Sequence, residues 1–400
     1  MSSPDIDICI IGAGVIGTSI TRQVNLAYPD LTIMLIEQNQ NPGMVTSARN
    51  SEVLHAGLYY PPHSLKAKHC IRGHQKLMKF CEERHVPCHN SGKYIVANEG
   101  EEATLLGIER NASACGVTSL EHVTRKALKQ LEPNIKADQA LFSPATAIID
   151  SHQLMLALQA DIPATTIALA TELIAISPYS YKGHTAFSLV FRDHNTFSEF
   201  TVSSQLLINA AGLTAPLLAN ELYQKCGEQM RRPDWLRGHF EYSKGNYFGY
   251  SGQSPFSSLV YPVPARDGRG LGVHATLDLA GQCRFGPDVE RLQLDSEAIK
   301  GANLSAATIY EVDSARLDHF IQQISRYYPS LDPSRLQPDY SGIRCQWKSP
   351  AGYTDFQIDD QLASGVGLLQ YLGIDSPGLT SSLSLAEDAV QRIRLSGLFH

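Results

Sequence analysis

No apolar run in this 400-residue chain approaches the ~18 residues that a membrane-spanning helix needs. Residues Met1 to Asp7 lack the basic start and apolar core of a secretory leader. A cytoplasmic protein is therefore expected, with any membrane contact confined to the periphery. Basic residues are in deficit: 33 Lys and Arg against 40 Asp and Glu give a net charge of −7, a poor match to nucleic acid. None of the 8 cysteines forms a Cys-x-x-Cys pair, which argues against a zinc ribbon or a thioredoxin-type redox site. Without a leader, reduced thiols are the expectation. Cys81, His85, Cys88 and His89 are metal-capable types at plausible spacing. However, Cys81 falls on the apolar face of a helix and Pro87 breaks the run, so no metal is expected. Repeats and low-complexity tracts are absent. What remains is ordinary globular composition, 43% apolar, long enough for two to three domains.

Asp7 to Ile11 is a short apolar run that leads into Gly12, Gly14 and Gly17 in a G-x-G-x-x-G pattern. Ile16, Ile20, Val24 and Ala27 then mark one helix face. Leu31 to Ile36 is a second buried strand, ending in Glu37. The spacing is that of a nucleotide-binding βαβ unit. Gly12 permits the tight turn, Gly14 lets backbone approach a pyrophosphate, and Gly17 lets helix pack on strand. The helix N-terminus offers free N–H groups to phosphate. Glu37 can accept from a ribose hydroxyl, which favours adenosine diphosphate lacking a 2′-phosphate.

The next segment breaks the regular βα alternation of a nicotinamide-binding domain. Residues 41 to 60 are polar and mixed, and so long a loop in a compact fold usually serves function. Ser64 then caps a helix whose apolar arc holds Ala67, Cys70, Ile71, His74, Leu77, Met78 and Cys81. Lys66 sits at the arc's edge, placed to fold over the buried face or to snorkel outward. His74 reads as a satisfied core histidine. Gly92 to Ala97 reads as a strand, 99–116 and 124–131 as helices, and Asp150-Ser151 as the cap of another. Residues 184–192 and 198–208 form a hairpin that runs into Asn209-Ala-Ala-Gly212. An antiparallel sheet is expected over 236–287, with turns at Asp267-Gly268 and Ala280-Gly281. A mixed helical stretch follows over 305–327. Glycine-punctuated loops are expected at 340–346 and 371–380, before a final helix over about 381–394.

Several segments together carry a resemblance. They are Ile10 to Gly17, Asn50-Ser51 with His55 to Tyr60, Ser64 to Lys68, Gly92 to Ala97, Ala147 to Asp150, and Asn209 to Gly212. Further on stand Arg237-Gly238, Tyr261 to Pro264, Gly272 to His274, Gly286-Pro287, Ser341 to Arg344, and Ser376-Pro377 with Thr380 to Ser382. The chain resembles flavin-dependent oxidoreductases of the D-amino-acid oxidase type and, among them, the L-2-hydroxyglutarate dehydrogenase/oxidase family. The resemblance implies an α/β fold: a Rossmann-like FAD-binding domain interleaved with a mostly antiparallel substrate domain. The FAD-binding domain takes 1–88, 151–217 and 335–400; the substrate domain takes 89–150 and 218–334. It implies non-covalent FAD held by Gly12, Gly14, Val15, Ile16, Gly17, Glu37, Gln38, Asn50 and Ser51. Leu173, Ala210, Ala211, Gly212, Gly342, Arg344, Ser376, Pro377, Gly378, Leu379 and Thr380 complete that set. Arg49, Glu52, Cys345 and Trp347 depart from the pattern.

A 2-hydroxy acid needs a cation for its carboxylate, a base for its hydroxyl, and its α-hydrogen aimed at the flavin. Arg344 suits the first by bidentate bonding. His55 and His274 are the candidate bases, because imidazole titrates near working pH. Lys66 is the candidate for a distal carboxylate, and Tyr59 and Tyr60 for the pocket wall. Oxidation of an amine or of a glycerol phosphate stays open, as does a flavin-binding sensor or component. The electron acceptor, whether oxygen, quinone or protein, also stays open.

Overall fold

The computed structural model describes residues 3–264, 272–293 and 307–399. The structure is built on two large sheets. The first is the nucleotide half, with strand order Thr171–Tyr181, His184–Asp193, Glu199–Asn209, Ile6–Ile11, Ile33–Ile36, Ile167–Ala168. Leu368–Leu372 joins parallel to Glu199–Asn209, and Gln357–Asp360 joins antiparallel to Leu368–Leu372. Ile6–Ile11 is parallel to both its neighbours, as the βαβ reading requires. Its Ile8 and Ile10 face one core and Cys9 and Ile11 the other, so a buried strand reads as a continuous apolar run.

Two helices cover one face of this sheet. Val15–Ala27 follows the glycine motif, and Gly378–Ser396 packs beside it. Leu65–Arg84 packs on Gly378–Ser396; Ser64 caps it by accepting from Ala67 N–H, as the spacing expects. His74 is satisfied by the Ala145 carbonyl at 2.7 Å. Cys81 lies in the core, and the Cys88 thiol donates to the Met78 sulfur. All eight cysteines are free. Among the described residues no helix is long and apolar enough to cross a membrane.

The second sheet has the order Glu290–Leu292, His239–Tyr250, Cys283–Phe285, Ala275–Leu277, Leu259–Pro262, Lys93–Ala97, Gln139–Ser143, Glu121–Thr124. Every pairing in it is antiparallel except Leu259–Pro262 with Lys93–Ala97. One face holds an aromatic core where Phe248 meets Phe320 of the Leu317–Ser325 helix at 4.5 Å. The expected turn at Asp267-Gly268 lies outside the described residues. The one at Ala280-Gly281 is present, closed by Gly281 N–H on the Asp278 carbonyl.

Two expectations are corrected. Residues 340–346 are not a loop: they lie in the 13-residue strand Leu336–Lys348, antiparallel to His239–Tyr250. The glycine there serves a close approach, since a Cβ on Gly342 would sit 2.2 Å from the Arg49 carbonyl. That strand belongs to the second sheet, whereas a division at 335 assigns it to the first. The strand Thr171–Tyr181, which the hairpin reading omits, adds an outer partner to His184–Asp193.

Gly73 sits where the Leu65–Arg84 and Gly378–Ser396 helices touch, and an added Cβ would lie 2.1 Å from the Thr380 carbonyl. Gly73→Ala should force the helices apart and cost about 1–3 kcal/mol, typical of overpacking. Denaturation midpoints read this out; an unchanged midpoint would mean that the helix pair yields freely.

Candidate active site

Between the sheets runs a cleft enclosing about 1140 Å³ of non-atom space, its mouth included. The N-termini of Val15–Ala27 and Gly378–Ser396 both open into it. Neither N-cap, Gly14 or Pro377, supplies a capping side chain. Their dipoles and N–H groups make two sites suited to anions or polar edges.

Fourteen of the expected cofactor-contacting residues line this cleft: Gly14, Val15, Ile16, Asn50, Ser51, Ala210, Gly212, Gly342, Arg344, Ser376, Pro377, Gly378, Leu379 and Thr380. The others do not. Gly12, at φ +99°, would place a Cβ 2.5 Å from the Ala210 carbonyl. Gly17 would place one 1.9 Å from the Gly12 carbonyl. Both glycines therefore hold strand, turn and helix together behind the surface that a cofactor meets. Ala211 packs under the neighbouring core. Leu173 packs with the core of the outer hairpin and Gln38 is exposed, so neither stands on the cleft wall. The Glu37 carboxylate is buried; it accepts from Ala13 N–H at 2.9 Å and from Asn39 N–H at 2.9 Å. In the structure it braces the turn.

The catalytic candidates gather at one end of the cleft. His55 lines it, with Nε2 3.3 Å from the Ser376 hydroxyl. Burial, reinforced by the charges of Lys93, His274 and Arg344, pulls its pKa down to about 3. His274 lies one layer back, its ring stacked on Tyr261 with centroids 3.8 Å apart. Burial is the main cause that takes His274 to about 3, with Arg344 and Lys93 adding to it, against the opposing pull of the Gly272 carbonyl. That carbonyl, 3.1 Å away, takes a hydrogen bond from Nδ1–H and leaves Nε2 as the basic atom. Both imidazoles are thus uncharged near neutrality.

Arg344 reaches the cleft from the Leu336–Lys348 strand, past Gly245, where an added Cβ would stand 3.5 Å from its guanidinium. Arg49 lies over the Tyr310 ring at 3.8 Å. Among the described residues neither arginine has a carboxylate partner.

Lys66 is a correction. It is buried, but its ammonium is bound by Asp375 at 2.6 Å and sits 5.4 Å from the Phe356 ring. A lysine so neutralised is not free to receive a substrate carboxylate. Asp375, which lines the cleft, also accepts from the Gln346 amide. Tyr60 has its phenol pushed well up by burial, beside Ser376. Tyr59 lies by Lys93, 4.8 Å from ammonium to ring centre. Glu52, another departure, accepts from Ser151 N–H and hydroxyl and so braces the loop. Sequence reasoning missed Lys93, Tyr247 and Ser47. Ser47 accepts from Val15 N–H at 2.9 Å; its only signal was its place in the long polar loop.

The model of the FAD dependent oxidoreductase family matches residues 7–392. The chain belongs to that family. Among curated relatives, the mitochondrial L-2-hydroxyglutarate dehydrogenase of Arabidopsis thaliana is 34% identical over 96% of this chain and 82% of its own. The L-2-hydroxyglutarate dehydrogenase of Escherichia coli K12 is 27% identical over 97% of this chain and 93% of its own. Among solved structures, the dithionite-reduced L-alpha-glycerophosphate oxidase of Mycoplasma pneumoniae with FAD bound has a TM-score of 0.77 at 24% identity. It matches over 97% of this chain and 94% of its own. Glycine oxidase from Geobacillus kaustophilus has a TM-score of 0.70 at 16% identity, over 98% and 95% of the two chains. These two structures share the fold.

The family's FAD fits the cleft. Two helix N-termini whose N-cap residues offer no capping side chain, small residues at Ala210 and Gly212, and a buried acid behind Gly14 match a dinucleotide. Glu37→Ala should weaken FAD by about 1.5–3 kcal/mol, the range of a hydrogen bond to a charged group. Fluorescence titration of the apoprotein measures this; unchanged affinity would assign Glu37 to the turn alone.

The depressed imidazoles also predict an acid response. His274 has a folded pKa of about 3 against an unfolded value of about 6.5. Below pH 6.5 the unfolded chain takes up a proton that the folded chain refuses. This contribution to stability is therefore complete above about 6.5 and lost as pH falls toward 3. His274→Asn should flatten that dependence, measured by denaturant titration at several pH values. An unaltered slope would contradict the buried neutral state.

Proposed function

We propose that the protein oxidises L-2-hydroxyglutarate, or a close L-2-hydroxy acid, to the 2-oxo acid. The observation that carries this is a guanidinium, Arg344, with no carboxylate partner among the described residues, beside two imidazoles that stay uncharged. The L-2-hydroxyglutarate dehydrogenase relatives supply the substrate. FAD, when bound, supplies the two-electron acceptor for the α-hydrogen of the substrate.

The protein does the rest. Arg344 takes the carboxylate next to the reacting carbon through two N–H donors, which fixes the carbon's orientation as well as its position. His55, on the cleft wall, accepts the hydroxyl proton as the α-hydrogen leaves. An imidazole with a low pKa is a weak base, but it is always unprotonated at working pH, and the oxidised alcohol grows more acidic along the reaction. His274 sits behind it with its basic Nε2 oriented by Gly272, and is the second candidate for that proton. Tyr247, stacked on Tyr340 at 4.5 Å, walls the cleft beside Arg344.

Cys345 follows Arg344 on the cleft wall, yet we assign it no covalent link to flavin. Burial pushes its thiol up to about 12, so the nucleophilic thiolate is scarce. Acid precipitation should leave all flavin in the supernatant; a yellow pellet would overturn this.

The decisive experiment is anaerobic stopped-flow reduction of the purified protein. L-2-hydroxyglutarate should bleach the flavin; the D-isomer, glycine and glycerol 3-phosphate should not. His55→Ala should slow reduction by about 10²–10⁴-fold at saturating substrate, with FAD occupancy checked. A parent protein bleached only by an amine would overturn the substrate. His55→Ala and His274→Ala variants that both keep the parent rate would overturn the histidine base.

A further inference from the structure

Lys93 is 1% exposed, and among the described residues no carboxylate lies within ion-pair distance of it. Its ammonium is instead 4.8 Å from the Tyr59 ring centre and 4.6 Å from that of Tyr261. Aromatic faces compensate a buried cation only in part, and burial pulls this one down to about 7. A cation without a counter-charge in a desolvated site is costly unless something else supplies the anion.

The surroundings point to what supplies it. The hydroxyls of Tyr59 and Tyr261 are buried and have no hydrogen-bond partner among the described residues, and Tyr261 as a residue is 1% exposed. Buried hydroxyls are normally satisfied, so two orphans beside one unpaired cation mark a site awaiting an acceptor. An ammonium and two O–H donors can together satisfy a carboxylate.

The sheet places this group. Lys93 pairs with Leu259, and Ile95 with Tyr261, so alternation puts Lys93 and Tyr261 on one face. Tyr261 stacks on His274. The charges of both Lys93 and Arg344 bear on His55 and on His274. Lys93 and Arg344 thus stand around the same pair of imidazoles, and only Arg344 is on the cleft wall.

We propose that Lys93, with the Tyr59 and Tyr261 hydroxyls, binds the substrate carboxylate remote from the reacting carbon and so sets the preference for a diacid. This rests on the reading of the substrate as an L-2-hydroxy diacid. It gives Lys93 the role that the buried pair with Asp375 denies to Lys66. Arg344 holds the near carboxylate, the imidazoles face the hydroxyl, and Lys93 terminates the pocket. A monoacid of equal length would leave the cation and both hydroxyls unpaired, the arrangement that discriminates most strongly.

The test compares L-2-hydroxyglutarate with L-2-hydroxyvalerate, which lacks only the second carboxylate. The parent should favour the diacid in kcat/KM. In Lys93→Met the diacid-to-monoacid ratio should fall by about tenfold to a hundredfold, mainly through KM for the diacid. Lys93→Gln serves as the second variant should the first not fold. A residue that only shapes the fold lowers both substrates alike, so an unchanged ratio overturns the proposal. Binding of glutarate against valerate, read from the flavin spectrum, separates this from the substrate reading. If the parent oxidises neither hydroxy acid, the substrate reading falls. The Lys93 subsite then stands if glutarate binds tighter than valerate and loses that margin in the variant, and falls if it does not.

Discussion

The carboxylate of Asp375 ties the molecule's two halves together. It lies in the loop after the Leu368–Leu372 strand of the first sheet. One oxygen takes the ammonium of Lys66 from the Leu65–Arg84 helix, and the other takes the amide of Gln346 from the second sheet. Both charged partners are buried. Taking away one side of such a pair typically costs about 3–5 kcal/mol, because the other charge is stranded. The loop that runs from this anchor through Ser376 and Pro377 leads into the Gly378–Ser396 helix, so the cleft's second helix terminus is set by it. Thr380 extends the bracing, its hydroxyl accepting from His55 N–H at 3.1 Å.

The chemistry of the opposite wall follows from the two-residue period of a strand. Phe248 points into the aromatic core, which leaves the preceding Tyr247 for the cleft. Val260 and Ala275 belong to the same core, which turns Tyr261 and His274 the other way. The sheet thus divides its residues into a face that holds it up and a face that meets ligand. A one-residue slip would exchange them.

Much of the nucleotide half was legible because its signals are local. The glycine spacing, the acid after the second strand and the Ser64 cap each lie within a few turns of what they act on. The rest needed contacts that sequence spacing does not carry. Helical periodicity placed Lys66 at the edge of a buried face, correctly, but could not show its partner 309 residues away. Lys93 escaped notice because a lone lysine at the start of an apolar strand reads as its solvated end; only the neighbouring strands reveal that it is buried. Glycines suggested a loop at 340–346, whereas Gly342 serves the close approach of Arg49 within a strand. Leu173 and Gln38 lie in segments whose chain direction, not composition, decides whether they face the cleft.

The chain passes from the first sheet to the second, back, out again and back once more. One wall of the cleft is Gly14 to Ile16, and another is Ser376 to Thr380. During synthesis the glycine motif leaves the ribosome at the outset, with half of its binding surface still untranslated. The strand carrying Arg344 and the helix beginning at Gly378 emerge more than three hundred residues later. The cofactor is therefore a ligand of the finished chain. Until that last helix docks against Val15–Ala27, a nascent protein leaves part of the apolar flank of its first βαβ unit uncovered.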